Sequence, residues 1–269
     1  MSSKAVEQRK PSWFLQAVAE ARSRLLLVDY EGIVAPSSPS RECAPPYPGI
    51  RDRLEFIMKG CGTRVIAISG RRAHEVSRML GIRTVREIWG GDGLERLHCD
   101  GRYECVQLDV PTDAFEALTE SELALRGVGL GKFVRVNIAG VSVHWRGMSD
   151  LDDILDVRAK ACRVFRPLTV KHPSLRFIEF EGGVELRLHG ATKAESFRRL
   201  LSGMPAETPV AYIGDDRVDE ESCSVLNEWG PVFFMRRLPS ANATQVHPEP
   251  GDEVIRFLDD WIRSSRGDL

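Results

Sequence analysis

Three stretches constrain the fold most. "LLLVD" (25–29), "RVIAIS" (64–69) and "PVAYIGDD" (209–216) carry near-continuous apolar runs that give way to polar residues. A strand that is apolar at successive positions, rather than alternate ones, has to be buried on both faces. A parallel sheet covered by helices on each side provides that burial. The segments between read as helices. Residues 12–22 place Phe14, Val18 and Ala21 on one face, with Ser12 as cap, and 50–60 is a second. Val76, Met79 and Leu80 mark a third. "ATKAESFRRLLSGM" puts Phe197, Leu200, Leu201 and Met204 at helical spacing, and the last helix carries Val254, Leu258, Trp261 and Ile262. "REIWGGDG" is a short further strand and turn. Strand-helix alternation of this kind predicts an α/β fold with an open, mostly parallel sheet.

The middle of the chain follows a different period. In "FVRVNIAGVSVHWR", Val134, Val136 and Ile138 alternate with Arg135 and Asn137. After an Ala-Gly turn, Val141, Val143 and Trp145 alternate with Ser142, His144 and Arg146. "LRFIEFEGGVELRL" predicts a second hairpin around Gly182 and Gly183, with Glu185 and Arg187 on its polar side. One apolar and one polar face is the mark of an antiparallel sheet. A helix over 150–165, with Leu151, Ile154, Leu155, Cys162 and Phe165, completes the segment. Residues 108–185 are therefore expected to form an α+β cap inserted into a core made of 1–107 and 186–269. Such a module over a parallel sheet is a natural lid.

The 269 residues suit one large domain or a domain with an insertion. Lys plus Arg number 37 against 39 Asp plus Glu, so no basic excess points to nucleic acid. The six cysteines are scattered without a CxxC pair and read as reduced thiols. No apolar run reaches membrane-spanning length and no secretory start is visible, so a cytoplasmic protein without membrane or nucleic-acid partners is expected.

In open parallel sheets ligands bind beyond the carboxyl ends of the strands. Asp29 and Glu31 follow the first run, Ser69 and Gly70 the second, and Asp215, Asp216 and Asp219 the run at 209–216. Lys193 opens the helix before that last run. Crowded carboxylates repel one another, and a hard cation such as Mg²⁺ relieves the repulsion. The same cation and Lys193 attract phosphate. Asp29 held in line with phosphorus would form an aspartyl-phosphate, and Glu31 is placed to give and take the protons.

The order of these motifs resembles the haloacid dehalogenase superfamily. "DYEGIVAP", "AISGR", "TKAESF" and "GDDRVDEESC" are similar to the motifs of the trehalose-6-phosphate phosphatases within it. The resemblance runs from about residue 24 to 262. It implies a Rossmannoid core with an inserted α+β cap of the C2 type. It makes Asp29 the nucleophile and a Mg²⁺ ligand, with the Glu31 carbonyl and Asp215 as further ligands and Asp216 and Asp219 supporting. Ser69, Gly70 and Lys193 would hold phosphate, while Arg146, Glu185, His144 and Arg135 of the cap would read sugar hydroxyls. The implied reaction is hydrolysis of trehalose 6-phosphate to trehalose and phosphate. The alternatives are another sugar phosphate, or a catalytically weakened sugar-phosphate binder that regulates or scaffolds a trehalose-phosphate synthase. Four positions depart from the family pattern. Glu31 stands for Asp, Ile33 for Thr, Asp92 for the His of GxHG, and Ala194 for Gly. The extra methylene of Glu31 predicts retained Mg²⁺ and phosphate binding with slowed or retuned hydrolysis.

Overall fold

The computed structural model describes residues 11–36, 45–82, 87–180, 182–214, 220–236 and 250–267. Its core is a seven-stranded sheet. In chain order the strands are β1 (Arg24–Asp29), β2 (Thr63–Ile68), β3 (Ile88–Gly90), β4 (Glu95–Leu97), β5 (Tyr103–Cys105), and later β10 (Val210–Gly214) and β11 (Val232–Arg236). They lie in the order β11-β10-β1-β2-β3-β4-β5. The pairs from β11 to β3 are parallel, and β4 and β5 add an antiparallel edge.

The alternation of side chains along β1 explains the layers. Leu26 and Val28 face α1 (Pro11–Glu20), α2 (Ile50–Gly60), α3 (Ala73–Leu80) and the final helix α8 (Pro250–Arg266), whose Trp261 is fully buried. Leu25 and Leu27 face the opposite side, against Phe197, Leu200 and Leu201 of α6 (Lys193–Leu201) and Leu226 of α7 (Glu220–Asn227). Each fully buried Leu contributes about 2 kcal/mol of apolar burial, so a strand apolar on both faces anchors both helical layers. Arg24 starts β1 with its guanidinium buried, donating to the carbonyls of Val18, Ala19 and Cys61. It ties α1 to the strand that carries Asp29.

The inserted segment forms the second unit. Its strands β6 (Val134–Val136), β7 (Gly140–His144), β8 (Leu175–Phe180) and β9 (Gly183–Leu188) make a four-stranded antiparallel sheet in the order β6-β7-β9-β8. The apolar face, with Val141, Val143, Val184, Leu186 and Leu188, packs under α4 (Thr112–Gly127) and α5 (Leu151–Lys171). β9 runs on past the expected boundary at 185 to Leu188.

Several local expectations need correction. α5 is longer than 150–165 and continues through Pro167 to Lys171. Of the expected stripe Phe165 is fully buried, together with Val157 and Ala161, whereas Leu151 and Leu155 are exposed. α1 ends at Glu20, so Ala21 lies beyond it. The β4–β5 hairpin and β11 extend the sheet beyond the strands expected. The hairpin has a structural task. Arg72 precedes α3 without a side-chain cap, and the fully buried Glu95 of β4 supplies one by accepting the Ala73 N–H at 2.7 Å.

Candidate active site

β1 and β10 are neighbours at the centre of the sheet, where the strand order reverses, and the crevice at such a point is the usual ligand site. Asp29 sits at the carboxyl end of β1 and is 5% exposed. Lys193, first residue of α6, places its Nζ 2.6 Å from Asp29 Oδ2. Thr192 caps α6 by accepting the Glu195 N–H, which fixes the turn on which Lys193 stands. A buried carboxylate is retained only if its charge is met, and Lys193 meets it.

The chain then turns at Gly32, whose φ of 79° is open to glycine without strain. The Val34 and Ala35 N–H groups donate back to the Tyr30 carbonyl, and Ile33 is buried in the core behind the turn. Glu31 projects from this turn. Arg71 donates to its Oε1 from Nε at 2.9 Å and from Nη2 at 2.7 Å. Sequence reasoning gave Arg71 no part in the site beyond its place in the "SGR" motif.

Ser69 follows β2 and is fully buried; its Oγ accepts the Arg71 N–H at 3.0 Å, so its own proton is left to offer. The Gly70 backbone lies beside Asp92, whose Oδ1 would be 3.6 Å from a Cβ at that position. Asp92 replaces the family His and adopts a left-handed conformation with φ 57°. Its N–H donates to the Ser69 carbonyl at 3.0 Å, and its own carbonyl accepts the Ser196 hydroxyl of α6 at 2.8 Å. Ala194, in place of Gly, is accommodated in the core on the α6 side.

From the cap, Arg187 reaches down to this loop. Its Nη2 is 2.8 Å from Asp92 Oδ2 and 2.9 Å from Glu185 Oε2. Burial pushes the Glu185 carboxyl above its usual range, and the charge of Asp92 adds to this while Arg187 opposes it. For Arg187, burial alone would lower the guanidinium, but Asp92 and Glu185 together outweigh it and hold it above its ordinary value. Sequence reasoning placed Glu185 at the cleft and left Arg187 and Asp92 out of the site. The alternation of "ELRL" puts Glu185 and Arg187 on one face, and that was the available signal.

The other cap residues are distributed differently. His144 bonds the Ser142 hydroxyl at 2.9 Å and lies against Phe180. Burial, then the charges of Arg146 and Arg135, lower its imidazole to about 4, so it is neutral at ordinary pH. Arg146 lies over the Phe180 ring at 5.9 Å. Arg135 turns back to donate to the carbonyls of Lys132 and Val134. Asp215, Asp216 and Asp219 lie outside the described residues. Among the described residues no group of three metal-binding side chains occurs, and no helix is long and apolar enough to cross a membrane.

No protein-family model matches the chain. It is 26% identical over 208 residues to a bifunctional trehalose-6-phosphate synthase/phosphatase of Thermoproteus tenax. That match takes in 75% of this chain and 27% of the relative, so the chain spans about a quarter of its length. Among solved structures, the C-terminal domain of Candida albicans trehalose-6-phosphate phosphatase superposes with a TM-score of 0.75 at 16% identity, over 97% of this chain and 99% of that one. Aspergillus fumigatus trehalose-6-phosphate phosphatase gives a TM-score of 0.65 at 19% identity, over 98% and 100%. The C-terminal domain of the Candida albicans trehalose synthase regulatory protein gives 0.67 at 13%, over 96% and 100%. The chain thus has the haloacid-dehalogenase-like fold of the trehalose-6-phosphate phosphatase structures, core and cap together.

Proposed function

We propose that this protein is a Mg²⁺-dependent sugar-phosphate phosphatase that converts trehalose 6-phosphate to trehalose and phosphate. The observation that carries the reading is the buried Asp29 at the end of β1 with the Lys193 ammonium 2.6 Å from it. A carboxylate and a cation fixed at the end of a central strand supply a nucleophile and a phosphate anchor in one place. Asp29 attacks phosphorus, the bond to the sugar oxygen breaks, and that oxygen takes a proton from Glu31. Water then attacks the aspartyl-phosphate and gives its proton back to Glu31, releasing phosphate and restoring Asp29. Ser69 and Lys193 hold the phosphoryl oxygens, and Arg71 fixes the reach of Glu31.

The Asp29 carboxylate and the Glu31 carbonyl are hard oxygen donors, and with Asp215 and Asp216 they make a set suited to Mg²⁺ rather than to a soft metal. Bound there, Mg²⁺ would offset charge repulsion between the phosphate and the attacking carboxylate. In the cap, Glu185, His144 and Arg146 are the groups proposed to read the sugar, with Arg135 at the margin.

One observation favours a second reading, a sugar-phosphate binder of weak activity that regulates a trehalose-phosphate synthase. Glu31 is in an ion pair with Arg71 and must share or leave it to move a proton. The Glu31→Asp variant separates the two. If Glu31 is adapted through Arg71 rather than misplaced, the shorter side chain withdraws from Arg71 and phosphate release from trehalose 6-phosphate shows no gain, falling by up to about 100-fold. A gain in rate would instead identify Glu31 as an impairment and favour the binder. A panel of phosphorylated sugars, assayed with Mg²⁺ and again after chelation, tests substrate and metal. Turnover should be highest with trehalose 6-phosphate and should disappear on chelation.

A further inference from the structure

The loop Gly91–Gly93 touches the cap at two points. A Cβ on Gly91 would lie 2.6 Å from Ile138 Cγ2, in the β6–β7 turn, and Asp92 holds Arg187 of β9. Arg187 also donates from Nη1 to the Ala191 carbonyl at 3.3 Å, in the linker that returns the chain to the core. One guanidinium therefore joins a cap strand, a linker and a core loop. Asp92 is itself fixed from below, by Ser69 after β2 and by Ser196 of α6, the helix that opens with Lys193. A non-glycine residue in the left-handed region carries conformational strain, and such strain persists where surrounding contacts over-determine it.

We propose that Asp92 and Arg187 form a charge clamp at the hinge of the cap, and that Arg187 is a positioning residue. It sets the cap sheet on the core loop, aims Glu185 into the cleft, and couples the seat of the cap to Ser69 and to α6. Neither residue reacts. The geometry dictates how the clamp works. Asp92 is seated beside Gly70, where an unpaired carboxylate would repel an arriving phosphate. Arg187, shared with Glu185, offsets that charge only while the cap is in place. Opening the cap would strip Arg187 from Asp92 and break a buried ion pair, which resists opening.

The effect on turnover rests on the phosphatase reading, and the effect on docking does not. The test uses the full chain with Asp92→Asn, Arg187→Met and the double variant. Asn is chosen because it keeps the shape of Asp and tolerates the left-handed backbone. Hydrogen exchange is read in the linkers at 106–111 and 189–192. Each single variant is expected to speed exchange there by about tenfold or more, with exchange in β1 and β2 unchanged. The double variant should be no faster than the worse single, since the two residues act as one unit. In parallel, turnover of trehalose 6-phosphate should fall more than that of a small aryl phosphate, which needs no cap. Arg187→Lys should recover part of the loss. Unchanged linker exchange in both singles, or additive effects in the double variant, would overturn the clamp whatever the activity. Altered exchange in a protein without phosphatase activity would keep the clamp and sink the phosphatase reading alone.

Discussion

An Asp29→Asn variant is expected to lose phosphate release from trehalose 6-phosphate by roughly a thousandfold or more, because an amide is a poor nucleophile at phosphorus. The substitution hardly changes shape, so the loss reports chemistry rather than folding. It also removes one carboxylate charge facing the largely buried Lys193 ammonium, at 2.6 Å. Removing one partner of a buried pair is destabilising, although the Asn oxygen still accepts a hydrogen bond. A modest fall in thermal stability should therefore accompany the loss of turnover. The measurement is phosphate release with Mg²⁺, alongside thermal unfolding. Turnover surviving at the wild-type rate would remove Asp29 from the nucleophile's role.

The second large effect is structural. Gly90 ends β3, and a Cβ placed there would stand 2.1 Å from the Ala73 nitrogen and 2.7 Å from the Arg71 carbonyl oxygen. Both are backbone atoms. The Gly91 N–H donates to that same Arg71 carbonyl at 2.8 Å, and Glu95 grips the Ala73 N–H from the other side, so the segment cannot slide away. Gly90→Ala is expected to cost about 3 kcal/mol, the upper end for overpacking, lowering Tm by roughly 6–12 °C. The displaced loop is the one that carries Ser69 through Arg71, so turnover should fall with stability. Calorimetry and phosphate release on the same sample check this. A Tm within a degree of wild type would show that α3 gives way more easily than its contacts imply.

How much of this was legible in the sequence follows from what each feature depends on. β1, β2 and β10 were readable because burial on both faces leaves an uninterrupted apolar run. The two cap hairpins were readable for the opposite reason, since one wet face forces alternation. β4 and β5 were not readable, being three-residue strands with Glu95, Arg96 and Glu104 among them; the sheet edge holds them by pairing, not by burial of an apolar run. In α5 the chain offers two candidate stripes. They share Phe165, and only packing against the cap sheet selects Val157 and Ala161 as its buried companions over Leu151 and Leu155. The motifs singled out Asp29, Ser69 and Lys193, and the fold buries Asp29 and Ser69 and sets Lys193 against Asp29. The partners that hold the rest, Arg71 for Glu31 and Arg187 for Asp92, come from segments far apart in sequence, and their pairing exists only after folding.

The contact between Lys193 and Asp29 has a consequence for how the protein meets its ligand. If the protein binds a phosphate here as proposed, the incoming dianion would find Lys193 already facing the Asp29 carboxylate and would have to trade places with it. Entry is then an exchange of anions at one ammonium. On that reading inorganic phosphate and sulfate would compete by the same trade, so occupancy should weaken as the concentration of either rises, while an uncharged sugar of the same size should leave it unmoved.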